Sequence, residues 1–165
     1  MDLGLNNKVA VVTGGTMGIG LATARVLARE GAQVVICGRS QEKLDAAITA
    51  AKEEGILLCG KTADVTDEAS FTAFADWAWA EFGRVDILVN NAGRGSPGAA
   101  LTLEKEVWQN VLDTNLTSVW NCSKVVSPYI DSPAAVSSSM CPRSVDASPL
   151  PIRGRTLCPR RESTP

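Results

Sequence analysis

The chain has 165 residues, of which 45% are hydrophobic and 21% charged, and carries a formal net charge of −2. This length accommodates one domain with a sizeable core, the apolar content excludes wholesale disorder, and without a polybasic run there is no electrostatic footing for nucleic acid. No apolar run approaches bilayer length, the start Met1-Asp2-Leu3-Gly4 lacks a secretory n-region and h-region, and the chain has no histidine. A cytoplasmic protein with a small-molecule partner and no membrane association is therefore expected, and both a metal site and a Ser-His-Asp triad are disfavoured.

In chain order, apolar runs at residues 9–12, 34–37, 56–59 and 87–89 alternate with helical stretches, the rhythm of a parallel sheet covered by helices. The first helix is predicted over about 18–30, ending at Gly31. The second covers about 41–54, opened by Ser40 as N-cap and stopped by Gly55. Over 67–82, Phe71, Phe74, Ala78 and Phe82 recur at helical spacing, which assigns the aromatic residues to the core, with Trp77 and Trp79 flanking that face. A last helix is predicted from about 103 past Trp120, with Thr102 as its cap. The five cysteines (Cys37, Cys59, Cys122, Cys141, Cys158) form no CxxC pair, and their odd number argues against a disulfide framework. From Asp131 onward the texture changes: residues 131–165 hold six of the eight prolines, seven serines and five arginines, with no lysine and no sustained period. By composition this reads as a disordered tail, so the expected division is a folded unit over 1–130 and a tail over 131–165.

Three segments carry chemistry. Val9-Ala10-Val11-Val12-Thr13-Gly14-Gly15-Thr16-Met17-Gly18-Ile19-Gly20 is an apolar strand running into a glycine-rich turn and then a helix, the architecture that cradles a dinucleotide pyrophosphate. Gly14 suits the tight turn, Gly18 lets backbone approach the phosphates, Gly20 lets helix pack closely on strand, and the free amides at the helix start attract an anion. Cys37-Gly38-Arg39-Ser40 follows the second strand, where such a fold meets the adenosine ribose. An acid there would bind a 2′-hydroxyl, whereas arginine suits a 2′-phosphate; with Gly38 standing where the acid is expected, NADP(H) is favoured over NAD(H). Asp64 sits before Thr66-Asp67, where it also reads as a helix-initiating acid.

The Thr-Gly-x-x-x-Gly-x-Gly spacing resembles the classical short-chain dehydrogenase/reductase family, and the resemblance extends over residues 5–130, roughly half of a typical member. It implies a Rossmann-like, doubly wound α/β fold, here incomplete, with the first four strands in the order 3-2-1-4. Ala63-Asp64-Val65 resembles the segment that contacts adenine, through Asp64 on the exocyclic amine and Val65 on the ring. Asn90-Asn91-Ala92-Gly93 matches the N-N-A-G motif, which borders the cofactor. Asp113-Thr114-Asn115-Leu116 resembles the segment bearing the catalytic asparagine, making Asn115 the one catalytic match. The resemblance implies hydride transfer between NADP(H) and a secondary alcohol or ketone, and homo-oligomers that associate through the 103–120 region and the catalytic helix, of which this chain shows only the first.

The family also needs a tyrosine followed four residues later by lysine, with a serine upstream. The one tyrosine, Tyr129, has Pro133 at that distance, and Ser123-Lys124 has Trp120 where the tyrosine belongs. The alternative is therefore a catalytically inactive, truncated NADP(H)-binding chain or a frameshift product. Reverse translation bears on the latter. Read from the third base of each codon, residues 139–143 permit Asn-Val-Ser-Ser, and 155–164 permit Tyr-Ala-Val-Ser-Lys-Ala-Gly-Ile-Asn. A one-base deletion or two-base insertion near the codons for Ile130 and Asp131 accounts for the break.

Overall fold

The computed structural model describes residues 3–96 and 103–130. Its elements are β1 (Val9–Thr13), α1 (Gly18–Arg29), β2 (Gln33–Gly38), α2 (Gln41–Glu53), β3 (Leu58–Thr62), α3 (Glu68–Phe82), β4 (Ile87–Val89), α4 (Lys105–Leu112) and α5 (Ser118–Ile130). Every strand pairing is parallel and the sheet order is β3-β2-β1-β4, as expected. The direction of winding reverses between β1 and β4, which opens a crevice at the carboxyl ends of these strands.

All five residues of β1 are buried, because a central parallel strand is covered on both faces and needs a continuous apolar run. The two-residue period of a strand divides that run between two cores. Val9, Val11, Val35 and Cys37 face one layer with Phe71, Phe74, Cys122 and Val126 of α3 and α5. Ala10, Val12, Val34 and Ile36 face the other with Ala24, Leu44 and Ala47 of α1 and α2. Phe71 and Phe74 are essentially inaccessible, and burial of each such side chain contributes about 2–3 kcal/mol.

Helix ends follow the local chemistry. The Ser40 hydroxyl accepts from the Lys43 amide at 3.3 Å, and the Asp67 carboxylate accepts from the Ala69 and Ser70 amides at 3.0 and 3.4 Å. Gly83 closes α3 in the left-handed region at φ 70°. Two elements depart from expectation. β3 begins at Leu58 and runs on through polar Lys61 and Thr62, since these pair with Cys37 and Gly38 of β2; ladder pairing overrides hydrophobic pattern. The last helix is not continuous. It opens at Glu104, whose side chain makes no cap bond, passes through a π-helical turn at Asp113–Thr117, and continues as α5 with Pro128 near its end. The predicted cap Thr102 and the predicted tail 131–165 lie outside the described residues.

At the amino ends of β1 and β4, Asp86 gathers the nearby donors. Its carboxylate accepts from the Val9 amide at 2.8 Å, from Lys8 Nζ at 3.2 Å, and from Arg84 Nε at 2.8 Å and a second Arg84 nitrogen. Burial alone would raise this acid; the hydrogen bonds from Arg84, the Val9 amide and Lys8 outweigh it and bring the pKa down to about 2. Among the described cysteines, Cys37 and Cys122 are free and buried.

Candidate functional site

The turn after β1 leaves the strand through Gly14, at φ +64°, a conformation that side-chain-bearing residues rarely adopt. Space requires glycine here as well: a Cβ on Gly14 would lie 2.9 Å from the Ala92 backbone, and one on Gly20 would sit on the Asn91 amide and the Gly14 carbonyl. Gly18 is different, since its Cβ would meet only open space. The first-turn amides of α1 have no partners within the helix, and its N-cap, Met17, supplies no side-chain bond. The result is a short row of donors at the positive end of a helix.

Thr13 joins this turn to the end of β4. Its hydroxyl donates to the Val89 carbonyl at 3.3 Å and accepts from the Asn91 and Ala92 amides, each at 3.0 Å. The Asn91 side-chain amide in turn donates to the carbonyls of Thr13 at 3.0 Å and Gly14 at 3.3 Å. The Asn90-Asn91-Ala92-Gly93 segment is thereby fixed against the glycine-rich turn, with Asn90 directed to Ser123 Oγ of α5 at 3.1 Å.

A cleft of ≈ 420 Å³ lies along these strand ends. Of the residues singled out from sequence, Gly14, Thr16, Met17, Ile19, Gly20, Arg39, Ser40, Asp64, Val65, Asn91, Ala92 and Gly93 line it; Gly15, Gly18, Asn90 and Asn115 do not. Gly15 instead packs on Ile36, where a Cβ would come within 2.6 Å of Cγ2. The cleft also takes in Thr66 and Thr114, which stand in the segments quoted from sequence, Arg94, which follows the N-N-A-G motif, and Lys43, which sequence reasoning missed. Lys43 was legible in principle: its amide is the one that Ser40 caps, so it occupies the first turn of α2 beside Arg39.

Electrostatically the cleft is cationic, with Arg39, Lys43 and Arg94 set against Asp64. Partial burial would raise Asp64, but hydrogen bonds from the Thr66 hydroxyl at 2.7 Å and amide at 2.9 Å, with the charge of Arg39, hold it below the usual carboxylate range. Gly38 shapes the same corner. A Cβ there would lie 2.8 Å from Thr16 Cγ2, so an acidic side chain at this position would first have to push the Thr16 side chain aside. Cys37, on the cleft floor, has its thiol pushed up to about 12 by burial and is no nucleophile at neutral pH.

On the α4–α5 side the arrangement is closed. Asn115, in the π-helical turn, accepts from the Arg94 amide at 2.9 Å and donates to the Arg94 carbonyl at 2.8 Å, so its side chain is spent on the backbone following Gly93. Tyr129 donates to the Asp76 carboxylate and stacks near Trp79, with ring centroids 5.4 Å apart. The hydrogen bond to Asp76, reinforced by burial, pushes its phenol up to about 12. Among the described residues, no group of three or more His, Cys, Asp or Glu is placed to hold a metal, and no helix is long and apolar enough to cross a membrane.

The sequence over residues 8–138 matches the family model described as short chain dehydrogenase. A cis-4-hydroxycyclohexanecarboxylate dehydrogenase from Sinomonas cyclohexanicum is 47% identical over 118 residues, covering 71% of this chain and 47% of the relative. Among solved structures, an F189W actinorhodin polyketide ketoreductase with NADPH is 42% identical, with a TM-score of 0.69 over 72% of this chain and 46% of that one. A metagenomic short-chain oxidoreductase in complex with NADP is 35% identical, with a TM-score of 0.70 over 76% of this chain and 57% of that one. The chain spans about half the length of the curated relatives it matches. With the parallel β3-β2-β1-β4 sheet and the family-model match together, the chain belongs to the short-chain dehydrogenase family.

Proposed function

We propose that residues 3–96 and 103–130 form the NADP(H)-binding part of an oxidoreductase that transfers hydride between NADP(H) and a secondary alcohol or ketone, and that this polypeptide binds the dinucleotide without turning it over. The observation that carries the reading is the corner after β2, where Arg39, Ser40 and Lys43 converge and Gly38, packed against the Thr16 side chain, stands where an acid would bind a 2′-hydroxyl. Two cations and a hydroxyl suit a 2′-phosphate, and the missing carboxylate removes the usual partner of a free 2′-hydroxyl. The amides of α1 take the pyrophosphate, Asp64 and Val65 border the adenine, and the 91–93 backbone borders the far end of the cleft. The solved ketoreductase with NADPH and the NADP complex support the same cofactor.

When bound, the nicotinamide supplies or accepts the hydride, and a proton donor near neutrality must stand beside the reacting carbon. Tyr129 does not suit that role, because its phenol serves Asp76 and is harder, not easier, to ionise. Asn115 is better described as a positioning residue, holding the Arg94 backbone at the cleft mouth. The test is NADPH fluorescence with the full chain, followed by addition of alicyclic ketones. Binding with no NADPH consumption is expected; sustained consumption contradicts the inactive reading. The out-of-frame serine and Tyr-x-x-x-Lys text over 139–164 favours a related reading, in which a transcript with one further base near codon 131 encodes an active reductase. Sequencing that transcript and assaying its product decides it.

A further inference from the structure

We propose that Met17 is an oxidation-sensitive position through which peroxide weakens dinucleotide binding, an inference that rests on the cofactor reading above. Met17 lines the cleft and is 61% exposed. Its backbone is extended, its carbonyl accepts from the Leu21 amide at 3.3 Å, and it is the N-cap of α1, yet its side chain makes no cap bond. The helices after β2 and β3 begin differently: Ser40 and Asp67 each turn an oxygen onto first-turn amides. A thioether is a weak acceptor, so at α1 these amides stay available to an anion. Among the described residues Met17 is also the one exposed sulfur, since Cys37, Cys59 and Cys122 are buried.

The chemistry is a two-electron oxygen transfer. The sulfur attacks one oxygen of hydrogen peroxide, the O–O bond breaks, a sulfoxide forms, and the other oxygen leaves as water after taking up the transferred proton. The product carries a strong acceptor on a flexible chain at the N-cap, where it competes with a phosphate for the amides of α1. It also replaces an apolar cleft wall by a hydrated dipole. Linkage requires the reverse effect, so a bound dinucleotide should protect Met17 from peroxide.

The test uses the full chain and its Met17→Leu variant, each compared with itself before and after hydrogen peroxide. Peptide masses locate the sulfoxide by a gain of about 16 Da, and NADPH affinity is read by fluorescence titration. Affinity of the wild-type chain is expected to fall about fivefold, the effect of one competing cap. It should recover after treatment with the two methionine sulfoxide reductases, and NADPH should slow oxidation at Met17. The variant should hold its own affinity through the treatment. Equal weakening in the variant, or a Met17 sulfoxide with unchanged affinity, overturns the inference. Absence of NADPH binding before any peroxide overturns the cofactor reading itself, and the coupling falls with it.

Discussion

At the amino ends of β1 and β4 the sheet is sealed by Asp86, whose carboxylate takes hydrogen bonds from Lys8, Arg84 and the Val9 amide, whereas at the carboxyl ends the same strands run out into an open cleft. The first region meets its one acid with donors from the fold itself. The second leaves first-turn amides and the cations Arg39, Lys43 and Arg94 directed at a space with one opposing acid, Asp64. Charge satisfied within the fold contributes to stability, and charge left over is available to a ligand. The two ends should accordingly respond to mutation in opposite ways.

The largest effect is expected at Gly20. In Gly20→Ala the new methyl falls on the Asn91 amide and the Gly14 carbonyl, both held by the Thr13 network. Calorimetry should detect no NADPH binding, and denaturant unfolding should show a loss of about 3 kcal/mol. Gly18→Ala provides the contrast, because its Cβ meets only open space; strain at φ +56° should cost about 1 kcal/mol. Equal destabilisation by the two changes would break the steric account.

Next comes the corner after β2. Arg39→Ala with Lys43→Ala should weaken NADPH about fiftyfold, as loss of two charge-assisted contacts to a 2′-phosphate implies. NADH affinity and the melting temperature should be unchanged. A matching loss for NADH would move these cations from the 2′-phosphate to some other role.

The opposite pattern is expected at the sealed end. Asp86→Asn should lower stability by about 2 kcal/mol at neutral pH while leaving NADPH affinity intact. The sign of the pH dependence follows from the depressed pKa. Asp86 binds its proton less readily in the folded chain, at about 2, than in the unfolded one, so its contribution is complete above the unfolded value near 4. It is lost as pH falls from about 4 to about 2. Acid unfolding of wild type and variant should converge across that window, and parallel curves would contradict it.

The smallest effect belongs to Tyr129→Phe, which removes a partly exposed hydrogen bond between α5 and α3 and should cost about 1 kcal/mol, with no change in NADPH binding. Here the folded pKa is raised, so the contribution is complete below the unfolded value near 10 and disappears as pH rises toward about 12.

Sequence reasoning reached furthest where chemistry is local. The glycine-rich turn, the Ser40 cap and the extent of α3 are decided by neighbours in the chain and were read from a few residues; the acid that caps α3, however, is Asp67, while Asp64, read as a helix-initiating acid, accepts from the Thr66 amide and hydroxyl instead. The buried central strands β1 and β2 were legible as apolar runs, and the two-residue period divides those runs between the two cores. What escaped depends on distant partners. The extension of β3 through Lys61 and Thr62 exists because β2 offers backbone bonds, and no hydrophobic pattern announces it. The π-helical turn at Asp113–Thr117 and the bonds from Asn115 to the Arg94 backbone join segments far apart in the chain. Lys43 lay between these cases: its position followed from the Ser40 cap, but its place in the cleft required the third dimension.

The most direct test of the central claim, that the carboxyl end of this sheet is an NADP(H) site, is calorimetric titration of the full chain with NADPH and, separately, NADH. Saturable binding of NADPH, at least about tenfold tighter than NADH, is the predicted result. No binding of either nucleotide, or a preference for NADH, would contradict it.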